Sequence, residues 1–179
     1  MNAISFVERE APEFDEEAVK RHIESQKLAR NKPEFTGCPG MRMAQMKPRT
    51  DACTSVEVPS MLSQWPVQIK LAGAQAPYFR GCDLLIAADC TAYAYGAFHE
   101  DFIRGRVTLI GCPKLDESDY AEKLTAILRE NDIQSVTILR MEVPCCGGLE
   151  MAAKKALQTS GKFIPWQVVT ISIDGKILD

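Results

Sequence analysis

Residues 83–90, DLLIAADC, place five consecutive apolar side chains between two aspartates and end on a cysteine. A short, unbroken apolar run of this kind fits a strand buried on both faces, as in the middle of a parallel sheet. RVTLIGC (106–112) and SVTILRMEV (135–143) have the same character, and PVQIKLA (66–72) and WQVVTISID (166–174) complete the strand candidates. Helical patterns separate them. TAYAYGAFHEDFIRG (91–105) carries Tyr95, Phe98 and Phe102 at helical spacing. SDYAEKLTAILREND (118–132) carries Tyr120, Leu124, Ile127 and Leu128, with Ser118 as the expected N-cap. GGLEMAAKKALQTSG (147–161) carries Leu149, Ala152, Ala153 and Ala156, with Gly161 as the stop.

Strands alternating with helices predict βαβ units, and right-handed crossovers place helices on both faces of the sheet. The expected fold is α/β: a three-layer sandwich with a mainly parallel sheet of about five strands, flavodoxin-like or related, over residues 61–179. The closing ISIDGKILD (171–179) reads as a strand, a turn at Asp174–Gly175 and a terminal hairpin. Residues 1–60 differ in texture and read as a polar N-terminal arm. One polar helix is expected there from Phe14 to Lys27, capped by Asp15, with Ala18, Val19, Ile23 and Ala29 as a thin apolar stripe.

The 179 residues are 46% hydrophobic, which supports one folded core, and the net charge of −3 lacks the basic footprint that nucleic acid selects. No apolar run approaches the roughly 20 residues a bilayer span requires, and MNAISFVERE has no signal-peptide pattern. A cytoplasmic protein with neither nucleic-acid nor membrane partners is expected. Seven cysteines is an odd total and argues against a complete disulfide framework.

The positions of those cysteines carry the functional reading. Functional groups in a parallel sheet gather beyond the carboxyl ends of its strands. Cys90 closes the first buried run, Cys112 the second, and Cys145 and Cys146 the third, so three strands deliver thiols to one edge. Each stands beside a turn or helix start, where free amides favour a thiolate. Cys90, Cys112, Cys145 and Cys146 are therefore the expected metal or cofactor ligands. His99 is a candidate fourth ligand, and Asp89 either orients a ligand or caps the next helix. Cys38, on the Gly-Cys-Pro-Gly turn of the arm, is a candidate further ligand that the arm would carry to the sheet edge, whereas Cys53 and Cys82 read as core thiols.

The segments AADC, GCPKLD and VPCCGG, together with WPVQIKL, AYAYGAFHEDF and IPWQVVTISIDGKI, closely resemble the C-terminal region of 4Fe–4S ferredoxin-type iron–sulfur proteins of anaerobic bacteria and archaea. The resemblance implies an iron–sulfur cluster, electron transfer, and association with a ferredoxin module or redox partner protein. No C-x-x-C-x-x-C run is present here, so ferredoxin-type transfer does not carry over to this chain itself. A partial second resemblance, through Cys112 and Cys145-Cys146-Gly147, is to the cysteine-rich domains of heterodisulfide reductases. A third, to β-class carbonic anhydrases, makes zinc the alternative metal, although the Cys-x-Asp-x-Arg element is missing. Two other functions stay open. One is an enzyme using Cys145 and Cys146 on a small molecule, with Lys114 and His99 raising thiolate character; the other is a flavin or nucleotide binding module, for which no Gly-x-Gly-x-x-Gly or P-loop pattern is seen.

Overall fold

The computed structural model describes residues 16, 17, 19–22 and 59–178. The chain divides into two units, Met1–Gly37 and Cys38–Asp179, and each is taken by itself. In the first, residues 16–17 and 19–22 are helical and exposed, with Glu16–Lys20 and Glu17–Arg21 paired one turn apart at 3.9 Å. Asp15, Cys38 and Cys53 lie outside the described residues.

The second unit runs β1 (Cys82–Ala88), α1 (Thr91–Ala94), β2 (Arg106–Gly111), α2 (Tyr120–Glu130), β3 (Ile133–Met141), α3 (Gly147–Ser160), β4 (Trp166–Ile171) and β5 (Ile177–Leu178). Its sheet has the order β2-β1-β3-β4-β5, parallel throughout except for the β4–β5 hairpin. The parallel part has the doubly wound flavodoxin-type order, and the fold is the α/β sandwich the strand and helix pattern predicts. β1 lies between β2 and β3, and Leu84, Leu85, Ile86 and Ala87 are fully buried, which is why that strand tolerates no alternation of polar residues.

The chain direction decides the layers. β2→β3 and β3→β4 cross the sheet the same way, so right-handed crossovers put α2 and α3 on one face, where they pack together. β1→β2 runs the opposite way, which places the 91–105 connection on the other face. α2 is amphipathic and buries Tyr120, Ala121, Leu124, Ile127 and Leu128 against the sheet. α3 ends at Gly161, whose φ of 74° is the left-handed stop a glycine adopts at little cost.

Three local expectations change. PVQIKLA is no strand: only Gln68 forms a parallel bridge, to Ile110, and the amides of Leu71 and Ala72 then turn back to the Gln68 carbonyl. The fifth strand is instead Ile177–Leu178, the return arm of the hairpin. The connection 91–105 is not one helix but the single turn α1 and a π-helical turn, His99–Ile103. Tyr95 turns extended before Gly96, which lets its ring meet Phe102 edge-on at 5.3 Å while Phe98 meets Phe102 at 5.9 Å. Finally, Asp119 rather than Ser118 caps α2, its carboxylate accepting the Ala121 amide at 2.8 Å. The Ser118 hydroxyl is buried without a hydrogen-bond partner.

Candidate thiol site at the carboxyl edge of the sheet

β1, β2 and β3 run in parallel register, Leu84 opposite both Val107 and Val136, so their carboxyl ends open on one edge. Cys90 follows β1 by two residues, Cys112 follows β2 directly, and Cys145 and Cys146 form a 3-10 turn, Pro144–Cys146, that leads into α3. Cys82 opens β1 and so stands at the other end of that strand.

Two close approaches bring these loops together. A Cβ on Gly148 would lie 3.1 Å from the Pro113 ring, so the first turn of α3 sits directly on the loop that carries Cys112. A Cβ on Gly111 would lie 2.7 Å from the Tyr120 hydroxyl, so only glycine lets that ring close over the end of β2. Tyr120 then donates its hydroxyl proton to the Asp116 carboxylate, and the Asp116 amide donates to the Cys112 carbonyl at 3.0 Å.

The thiols act on one another. Cys90 is exposed, yet local burial, then Cys112, Asp89 and Cys145, all hold its proton more tightly than usual. Cys146 is 5% exposed, and burial pushes its thiol up to about 11, with Cys145 and Cys90 adding to the rise and the Met141 backbone amide opposing it. Burial also raises Asp89, helped by the charge of Asp116, and its Oδ1 is buried without a hydrogen-bond partner. Asp89 therefore makes no helix cap: α1 has no side-chain cap bond. No Lys, Arg or His is among the groups that shift Cys90 and Cys146.

The fold thus brings Cys90 within electrostatic reach of Cys112, Cys145 and Cys146, and Cys145 within reach of Cys146. Among the described residues, no three His, Cys, Asp or Glu side chains converge closely enough to hold one metal ion directly. His99 is engaged differently. Its Nδ1 accepts the Met61 amide at 3.1 Å, and it lines a groove with Pro59, Ser60, Gly96, Ala97 and Glu100 rather than with a cysteine. Lys114 is exposed. Asp116 and Tyr120 are site residues that sequence reading passed over. The one available signal was their spacing of four residues across a helix start, which reads equally well as ordinary core and surface.

No described helix is long and apolar enough to cross a membrane. No solved structure matches the chain. An uncharacterized protein of Archaeoglobus fulgidus is 32% identical over 117 residues, a span that covers 65% of this chain and 82% of that relative. Residues 76–179 match the family described as the Rossmann-like domain, a span that includes Cys90, Cys112, Cys145 and Cys146. With a strand order of that doubly wound type and more than half its length matched, the chain belongs to the Rossmann-like domain family.

Proposed function

We propose that the sheet-edge thiols hold an iron–sulfur cluster and that the chain transfers electrons together with a ferredoxin module or another redox protein. The observation that carries this reading is the convergence of Cys90, Cys112, Cys145 and Cys146 from three parallel strands into one electrostatically linked set. Every group acting on Cys90 opposes its ionisation, so nothing in the protein favours its thiolate. A thiol nucleophile needs the reverse, a neighbouring cation that lowers its pKa. A bound cation or cluster supplies that missing positive charge and makes thiolates of all its ligands.

An all-sulfur ligand set, linked through Cys90, suits an iron–sulfur cluster better than a zinc ion. Such a cluster, when bound, supplies one-electron chemistry. The chain's own residues would ligate it through the four thiolates, donate to the Cys146 sulfur from the Met141 amide, and bring backbone close at Gly147 and Gly148. Pro113, packed on Gly148, would keep water from that side. Tyr93, 93% exposed in the helical turn that follows Cys90, and Leu115, 77% exposed in the loop that follows Cys112, would meet the partner protein. The five free thiols of the described residues fit a reducing, cytoplasmic setting. The resemblance to ferredoxin-type proteins is consistent with this reading.

The test is anaerobic purification and reconstitution with iron and sulfide, followed by metal and sulfide analysis and an absorption spectrum. Iron with matching sulfide in the parent, lost on Cys112→Ser or Cys146→Ser and kept on Cys82→Ser, is the expected result. Zinc without sulfide, bound flavin, or iron retention indifferent to the four cysteines would each refute it.

A further inference from the structure

We infer that Arg140 and Glu150 are positioning residues that clamp the Cys145–Cys146 turn between β3 and α3; the inference builds on reading that turn as part of the thiol site. Arg140 is the penultimate residue of β3, and Glu150 lies in the first turn of α3. Between them the chain leaves the sheet, makes the 3-10 turn with both cysteines and starts the helix. The Arg140 guanidinium bridges this excursion: Nε donates to the Met141 carbonyl at 3.1 Å, and Nη1 donates to Glu150 Oε2 at 2.5 Å. Lys154 donates to the other Glu150 oxygen at 2.6 Å.

The pair is well placed to act. Its side chains are only 21% and 18% exposed, so water screens it less than the other ion pairs of the described residues. Glu150 also sits where the free amides of a helix start favour negative charge. The contact to Met141 gives the clamp its specificity. That residue closes β3, and its carbonyl is held by Arg140, so the clamp fixes the strand end from which the thiol turn departs. A planar guanidinium makes the two bonds in different directions at once, which a lysine ammonium on the same stem does not reproduce. The turn itself has two backbone hydrogen bonds, from the Cys146 amide to the Val143 carbonyl at 3.1 Å and from the Gly147 amide to the Pro144 carbonyl; both are local, and the clamp ties the turn to β3.

The experiment measures alkylation rates of Cys145 and Cys146 separately, by iodoacetamide labelling and peptide mass spectrometry on the full-length protein without added metal. Arg140→Gln and Glu150→Gln are expected to speed Cys146 alkylation roughly tenfold, the change that follows from losing about one charge-assisted hydrogen bond that restrains local opening. Arg140→Lys should recover part of the protection. Arg104→Gln, which breaks the more exposed Arg104–Glu100 pair, should change nothing. Should Arg140→Gln fail to fold, Glu150→Gln carries the test. A fall in melting temperature with an unchanged Cys146 rate would show a merely structural pair and overturn the inference. Full protection restored by lysine would overturn the two-bond geometry. Since no metal is added, loss of the cluster reading would leave this result standing, and the reverse also holds.

Discussion

Replacing Gly111 by alanine tests the packing that joins the end of β2 to the thiol site. The new Cβ would stand 2.7 Å from the Tyr120 hydroxyl, 2.8 Å from its ring carbon Cζ and 3.2 Å from Ile69 Cδ1. Tyr120 is 2% exposed and Ile69 fully buried, so neither moves into free space. Overpacking of this kind costs about 1–3 kcal/mol. Pushing the phenol away also breaks its hydrogen bond to the Asp116 carboxylate, worth about 1.5–3 kcal/mol as a charge-assisted bond. Against this, alanine in a strand is favoured over glycine by about 0.5–1 kcal/mol. The net is a destabilisation of about 3 kcal/mol, or roughly 6–12 °C in melting temperature for a chain of this size. Urea denaturation and thermal melting of Gly111→Ala, Tyr120→Phe and the double variant read it out. The double variant should lose clearly less than the sum, because the displaced hydroxyl is already gone. Cys112, the next residue, should also become more reactive to alkylation. A Gly111→Ala protein that melts with the parent, or strictly additive losses, would refute the argument.

Alkaline pH should weaken the fold. Burial raises Cys82 and Cys146 to about 11 from an ordinary 9.0, so the unfolded chain sheds those protons first. Their contribution is complete below pH 9 and is lost as pH climbs from 9 to 11, a decline that Cys146→Ala should flatten in pH-resolved denaturation. Asp119→Ala should lower the melting temperature by freeing the Ala121 amide, while Ser118→Ala should not, since that hydroxyl has no partner to lose. The Asp119 carboxyl, held below its usual range by the Ala121 amide and then by Lys155, makes its contribution above the ordinary carboxylate range, and this is lost as pH falls.

The three central strands were legible because full burial on both faces leaves an unbroken apolar run, and β1, β2 and β3 match those runs to within two residues at every end. The edges were not. PVQIKLA has strand composition, but after the Ile69 amide meets β2 the Leu71 and Ala72 amides go to a turn, and composition alone does not say where a hydrogen bond is made. Aromatic spacing over 91–105 suggested one helix, whereas three rings packing against each other favoured two short turns around Gly96.

By itself, the order of residues determined that cysteines follow three buried strands, and parallel pairing then made it necessary that they share an edge. Tertiary structure alone decided what surrounds them. Asp89 feels the charge of Asp116, Tyr120 folds over Gly111, and Arg140 reaches Glu150 past the Cys-Cys turn; the first depends on two βα loops meeting at the sheet end, the other two on how a loop folds back on its own strand. Periodicity reports which face of an element is apolar, because burial is averaged over a whole strand or helix. It does not report which individual side chains meet above the sheet, because those contacts follow from strand order and loop packing.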